Sequence, residues 1–449
     1  MFMLESHLSA PQSRVIAQVQ AAAAELAVNV FLTGGALRDM LAGFPIVEID
    51  FTVEGSGIKL GRAVAASSGA QILDTDENRK SALLLFDGGV RVSIGMARQE
   101  KFPKPGAKPQ VKPCTIHEDL RGRDFTVNSI ALSLNAASRG LLLDPNNGVG
   151  DIERKELRTV TNFTLYDDPI RLLRLHRFKV RLGLTVVDRT LAQYANSREA
   201  ELETKITPAA LLDELRRIAS EQNVGELVRV LNEEKLLPLF SPALKGDRVN
   251  LEGIVLLDQA KHLIPFGADL QVEHLGVFLS VLAEKLTPAE RLAMVKHLGM
   301  SDELAEQWLT MDARSRKLEK NLKAPKLQKP SALYNVLVKA PGDQIMFLLV
   351  QSEERLVQDR IRNYLEKYLP MALEVTDGDV LALGVAAGTP KFEKAKAELI
   401  ATRLDAKPKK LPDPEDLAAE APPEPPPPTK PLVQAPPFPS MHAFARSKV

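Results

Sequence analysis

Two acids and a double glycine are the first residues in this chain whose types and spacing could do chemistry. In TGGALRDMLAGFPIVEIDF, Thr33 to Phe51, Gly34 and Gly35 precede Glu48, and Asp50 follows Glu48 at a spacing of two. The segment around the acids alternates as a strand does, so Glu48 and Asp50 share one face while Ile49 takes the other. Two carboxylates that close repel, and each raises the pKa of its neighbour unless a cation lies between them. Mg²⁺ is the simplest such cation, because it takes oxygen ligands and bridges readily to phosphates. The glycine turn leads into a helix, whose free N–H groups and dipole can hold an anion such as a triphosphate. Turn and acids together make the two halves of a nucleotidyl-transfer site, in which a metal activates a hydroxyl and clamps phosphates. Taken alone, the same residues also allow a plain turn beside an edge strand with a solvated face. A nearby lookalike, GSGIKLG from Gly55, has the wrong glycine spacing for a dinucleotide fold.

The elements that must position these residues follow from apolar periodicity. QSRVIAQVQAAAAELA, residues 12–27, reads as an amphipathic helix, VNVFL as a short buried strand, and ALRDMLAG as a helix ended by glycine. IVEIDFTV, SALLLF and VRVSIGMA read as strands, with DGG a hairpin turn between the last two. KFPKPGAKPQVKP breaks all periodicity and reads as a loop. From about Asp151 the spacing turns helical and stays so. The order is an α+β chain, a mixed head followed by a long all-helical remainder.

At 449 residues the chain is too long for one core, and two to four domains are expected. Apolar content of 45% and charged content of 26% are those of an ordinary globular protein. Cys114 is the only cysteine, which excludes a disulfide framework or cysteine-based zinc site and suits the reducing cytoplasm. The N-terminus lacks the pattern of a signal peptide, and no apolar run is long enough to span a membrane. Beyond about residue 405 the chain holds 13 of its 31 prolines, a composition that reads as disordered.

Further motifs follow in order: EDLRGRDFTVNSIAL at 118–132, LLLDPNNGVGDIERKELRTV at 141–160, and DDPIRLLRLHRFKVRLG at 167–183. With the opening stretch, they resemble the class II tRNA nucleotidyltransferase and poly(A) polymerase family. Its usual forms are GGxVRD then DxD, RRDFTxN, DPxxGxxDLxxxxLR and EDPxRxLRxxRF. The resemblance covers residues 25–240 well and most of 370–405 loosely. It implies a polymerase-β-like head at 1–160, a helical neck at 161–222, a body at 223–300 and a tail at 301–404, before the proline-rich 405–449.

By this resemblance Glu48 and Asp50 stand at the catalytic, metal-binding acids, for Mg²⁺ or Mn²⁺. Gly34, Gly35 and Arg38 stand where the family holds nucleotide phosphates, and Arg123 and Asp124 stand around the ribose. Asp168 and Arg171, at i and i+3 on one helix face, match the pair that reads the incoming base. Such a carboxylate accepts from the exocyclic amine shared by cytosine and adenine, while the guanidinium donates to neighbouring ring acceptors. Asp168 before Pro169 also has the form of a helix N-cap. Arg174 and Arg177 match arginines near base and phosphate. The lysines of the 101–113 loop could order over substrate. A basic run, Arg314, Arg316, Lys317, Lys320 and Lys323, is a candidate tRNA backbone contact.

The resemblance implies an enzyme that adds C, C and A to the tRNA 3′ end from CTP and ATP, with neither DNA nor membrane as partner. No basic-aromatic motif of the poly(A) polymerase type follows the acids, and no His-Asp dipeptide suggests a phosphohydrolase domain. Glu48, Gly122 and Asp167 depart from the family's Asp, Arg and Glu, and Ser93 stands where many relatives have Asp. Dedicated A-adding or C-adding, poly(A) synthesis, and a non-catalytic RNA-binding scaffold stay open as alternatives.

Overall fold

Short strands with period-two patterning build one mixed sheet in the first third of the chain. The computed structural model describes residues 7–406 apart from Val47, Phe266 and Asp269, so the proline-rich stretch lies outside the described residues. The strands are β1 (Asn29–Thr33), β2 (Glu48–Glu54), β3 (Gln71–Asp76), β4 (Ser81–Leu85), β5 (Arg91–Met96), β6 (Arg98–Lys101), β7 (Gln110–Pro113), β8 (Ala131–Ser133) and β9 (Leu142–Leu143). The sheet runs β3-β4-β5-β2-β1-β8-β9, with β6 and β7 paired apart from it. Only β2 and β5 are parallel within it; the other pairings are antiparallel.

Helices punctuate the head: α1 (Ala10–Glu25), α2 (Gly35–Leu41), α3 (Gly57–Ser68), α4 (Ile116–Arg121) and α5 (Gly148–Glu153). The DGG segment does turn β4 into β5. Gly88 and Gly89 both take positive φ, at 82° and 78°, in a three-residue loop, Asp87–Gly89, closed by Phe86 N–H donating to the Val90 carbonyl and Gly89 N–H to that of Phe86.

One expectation changes, and one strand goes unread. The 101–113 segment is no mere loop: its ends pair as β6 and β7, while Pro103, Pro105 and Pro109 fall at the tip, where no ladder hydrogen bond is needed. β3 shows no apolar alternation because it is an edge strand, exposed on both faces along most of its length.

The remainder is not wholly helical, because Glu156–Leu157 pairs in parallel with Thr185–Val186. Around that pair come α6 (Thr164–Asp167), α7 (Ile170–Leu182), α8 (Asp188–Glu199) and α9 (Pro208–Ser220), and helices run on through Pro390–Asp405. Two main cores form. One gathers sheet and head helices, from Val15 to Val186; the other is all-helical and runs from Leu173 to Leu369. Helix α7 belongs to both: Leu175, Phe178 and Leu182 face the first, while Leu173 and Val180 face the second.

Arg177 fastens this shared helix to α9 and the residue that follows it. Its guanidinium donates to Glu214 at 2.6 Å and to Glu221 at 3.1 Å, all three side chains being largely buried. Breaking such a group from one side leaves charge buried without a partner. Arg177→Ala should therefore cost about 3–5 kcal/mol of stability, read by denaturant unfolding, whereas Arg177→Met combined with Glu214→Gln should cost less.

Candidate active site

The tight turn and the two acids are tied together by strand register. β1 and β2 pair with Thr33 opposite Asp50, so the turn that ends β1 lies against the second acid. Gly34 has φ +66°, and a Cβ there would stand 3.1 Å from Asp50 Oδ2. Only glycine meets both demands without strain. Gly35 then donates its N–H to that same oxygen at 3.3 Å.

Glu48, Asp50 and Thr52 line one face of β2, while Ile49, Phe51 and Val53 are buried on the other. Glu48 is exposed at the strand's start, and Asp50 is half-buried in register with Ser93 of β5. Burial and then the neighbouring Glu48 push the Asp50 carboxyl above its ordinary pKa. Repelling carboxylates with a hydroxyl beside them form an all-oxygen donor set, which fits a hard divalent cation. Among the described residues no group of three or more His, Cys, Asp or Glu converges for a metal, so this pair has no third acid.

Arg123 enters the same face from the segment after α4. It donates to Thr52 Oγ1 at 3.0 Å and pairs with the buried Asp119 at 2.6 Å. Asp124, next in sequence, turns away, and its Oδ2 accepts from Nε and Nη2 of Arg174, at 2.9 and 2.5 Å. Burial opposes its charge, but Arg174 and Arg171 hold its carboxyl well below the usual carboxylate range. The absence of a side chain at Gly122 is not forced by space: a Cβ there would meet nothing closer than 3.5 Å.

Arg38 is buried. It donates to Asp39 and, at 2.7 Å, to Asn128, whose amide in turn donates to Asp124 at 2.9 Å. Asp39 also accepts from Arg181 at 2.8 Å. Arg38, Arg174 and Arg177 all lie over the ring of Phe178, 4.6–5.3 Å from its centre. Of the arginines expected at the nucleotide, Arg38 and Arg177 are thus held inside the protein by carboxylates and an amide, while Arg123, Arg171 and Arg174 keep partial exposure. Asn128, Phe178 and Arg181 are the members missed by sequence reasoning; all three lie within motifs already quoted, in DFTVN and LHRFKVR.

Asp168 and Arg171 do meet, at 3.4 Å. Burial raises the Asp168 carboxyl, with Arg171 and Arg174 opposing that rise. The capping role does not appear: α7 starts at Ile170 with Pro169 as its N-cap residue, and no side chain caps it. The Asp168 carboxylate faces Arg171 instead, since a cation one turn along competes with the helix N–H groups. The basic run is partly neutralised by acids on its own helix and beyond it. Arg314 pairs with Asp343, Arg316 with Asp312 and Lys323 with Glu354, which leaves Lys317 and Lys320 exposed with no ion pair among the described residues.

A carboxyl with raised pKa costs stability once ionised, and that cost is absent below its unfolded pKa. Asp50→Asn should therefore raise the melting temperature at neutral pH without divalent ions, and the gain should fade as pH falls through the usual carboxylate range. Mg²⁺ should raise the melting temperature of the parent protein and leave that of the variant unmoved, a difference readable by scanning calorimetry.

Known proteins resemble this chain in sequence and in fold. Residues 30–158 match the model of the poly A polymerase head domain. An A-adding tRNA nucleotidyltransferase of Geobacter sulfurreducens is 25% identical over 411 residues, covering 90% of this chain and 46% of its own length. A multifunctional CCA protein of Verminephrobacter eiseniae is 31% identical over 299 residues, 62% of this chain and 68% of its own. The chain spans about half the length of most curated relatives it matches. A solved CCA-adding enzyme in an apo form shares the fold with a TM-score of 0.55 at 22% identity, over 93% of this chain and 97% of that one. Motifs in order, a mixed-sheet head with a helical remainder, and a relative matched over two thirds of its length converge: the chain belongs to the tRNA nucleotidyltransferase and poly(A) polymerase family.

Proposed function

We propose that the protein adds nucleotides to the 3′ end of tRNA without a nucleic-acid template, using CTP and ATP and releasing pyrophosphate. The observation that carries this reading is the register of β1 on β2, which sets a glycine turn against Asp50 and puts Glu48 on the same open face. Glu48 and Asp50 would hold Mg²⁺ or Mn²⁺, which when bound lowers the pKa of the attacking 3′-hydroxyl and neutralises triphosphate charge. The Gly34–Gly35 turn lets phosphates approach the backbone closely. Arg123, fixed by Asp119, presents its guanidinium beside the acids toward ribose and phosphate. Asp124 orients Arg174, and the Asp168–Arg171 pair selects an amine-bearing base. In this reading the head, 1–160, carries the chemistry, the neck at 161–222 reads the base, and Lys317 and Lys320 contact the tRNA backbone.

A second reading, addition of A alone to tRNA ending in CC, is favoured by one observation: the relative matched over 90% of this chain is an A-adding enzyme. An extension assay on tRNA lacking CCA, tRNA ending in CC and an unrelated RNA separates the readings. C, C and A on the first substrate supports full addition, A only on the second supports the narrower enzyme, and no extension anywhere would sink both.

Two variants refine the test. Glu48→Asp shortens the reach to the metal by one methylene, and a misplacement of about 1 Å costs on the order of 100-fold in rate. A loss of roughly that size in kcat is expected if the site is built around glutamate. Asp168→Asn should relax the choice between ATP and GTP, seen as a fall in the ratio of their kcat/KM values. Because the parent reads the base with an ionised carboxylate, its own selectivity should decline as pH falls toward the raised Asp168 pKa.

A further inference from the structure

Two aromatic side chains stand in the open immediately before the base-reading pair. Phe163 is 65% exposed and Tyr166 is 50% exposed. Between them Thr164 and Leu165 are buried, so the single turn of α6 anchors itself by its middle residues and turns its aromatic ones outward. Spaced by three, Phe163 and Tyr166 lie on the same side of that turn. Burying two such rings against the core would have been favourable by more than burying threonine, so their exposure calls for an occupant.

The surroundings say what kind. Arg171 donates to the Thr164 carbonyl at 3.4 Å, which ties the turn directly to the base-reading arginine. The tip of the β6–β7 hairpin leans on the same element: Gly106 N–H donates to the Asp167 carbonyl at 3.4 Å. That glycine, at φ +70°, also packs so closely that a Cβ would stand 2.2 Å from the Lys205 carbonyl oxygen. The contact sets Gly106, with Lys104 and Lys108 two residues to either side, against the backbone that follows Tyr166 and against Lys205. Lys104, Lys108 and Lys205 form no ion pair among the described residues. Arg189 joins from the start of α8, donating to the Asn162 side chain at 2.8 Å. Aromatic rings rimmed by unpaired cations suit a ligand with flat apolar faces and a polyanionic backbone. Single-stranded nucleic acid has that character. An apolar protein partner would not require the cations.

We propose that Phe163 and Tyr166 form a stacking platform for an unpaired base near the 3′ end of the RNA substrate, with Lys104, Lys108 and Arg189 following its phosphates. This rests on the tRNA 3′-end reading, and it adds a contact to the nucleic acid itself beyond the residues that read the incoming nucleotide.

The test uses the full chain and a short single-stranded RNA ending in CC, measured by fluorescence anisotropy with no nucleotide present. Phe163→Ala with Tyr166→Ala should weaken binding roughly ten-fold or more, while Phe163→Trp with Tyr166→Trp should retain it. Circular dichroism and ATP binding should be the same for all three proteins. RNA in which abasic sugars replace the last bases should bind parent and double-alanine variant equally. If the alanine variant binds the intact RNA as the parent does, or if the abasic RNA still tells the two apart, the platform is refuted. Loss of self-association in the alanine variant with unchanged RNA binding would instead assign the rings to a contact between protein copies. A parent protein that binds this RNA through the rings and never extends any tRNA would overturn the enzymatic reading and leave the platform standing.

Discussion

Three guanidinium groups on one phenyl ring set the terms for this molecule. Arg38, Arg174 and Arg177 come from two helices and meet at Phe178, with Arg38 and Arg177 sealed from water and Arg174 partly exposed. Like charges gathered there repel strongly, and the ring's quadrupole offsets only part of the cost. Each cation therefore needs its own carboxylate, and those come from separate stretches: Asp39 from α2, Asp124 from the segment after α4, Glu214 from α9, with Glu221 just beyond it. Satisfying those pairs draws the glycine turn, the RGRD segment and helices α7 and α9 to one point. Phe125 completes the arrangement by meeting Phe178 edge-on at 5.7 Å between ring centres.

Such a cluster explains why residues of one motif take different roles. Arg123 and Asp124 are neighbours, yet Arg123 opens toward the acids while Asp124 turns inward to Arg174. The same holds along α7, where Arg174 stays partly exposed and Arg177 is sealed against α9. A buried ion pair is weak evidence for net stability, but losing one partner is costly. The arrangement accordingly tolerates little change at any single member, whether or not that member touches substrate.

Much of this is legible in the order and types of the residues. The alternation in IVEIDFTV assigns β2 its faces, and the glycines of DGG mark the hairpin, because local patterning and turn chemistry decide both. Glu48 and Asp50 do share a face, and Asp168 does meet Arg171. The interior partners are not legible, since Asn128, Arg181 and Glu214 owe their importance to contacts made across up to 142 residues of sequence. β3 escapes a periodicity reading because an edge strand need bury neither face. The hairpin at 98–113 escapes it because prolines at its tip mask the pairing of its ends. The capping role of Asp168 fails for an electrostatic reason: Arg171 offers a charge where the helix offers only a partial one.

Helix α7 also bears on descent. With Leu175 and Phe178 packed into the head and Leu173 and Val180 into the helical remainder, neither half owns it. A recombination joining the head of one relative to the helical part of another would have to fall outside 170–182, or one flank of the helix would face a surface it had never been selected to fit. Head and helical remainder thus share α7, and a junction cut through that helix would leave apolar side chains unmatched on one flank or the other.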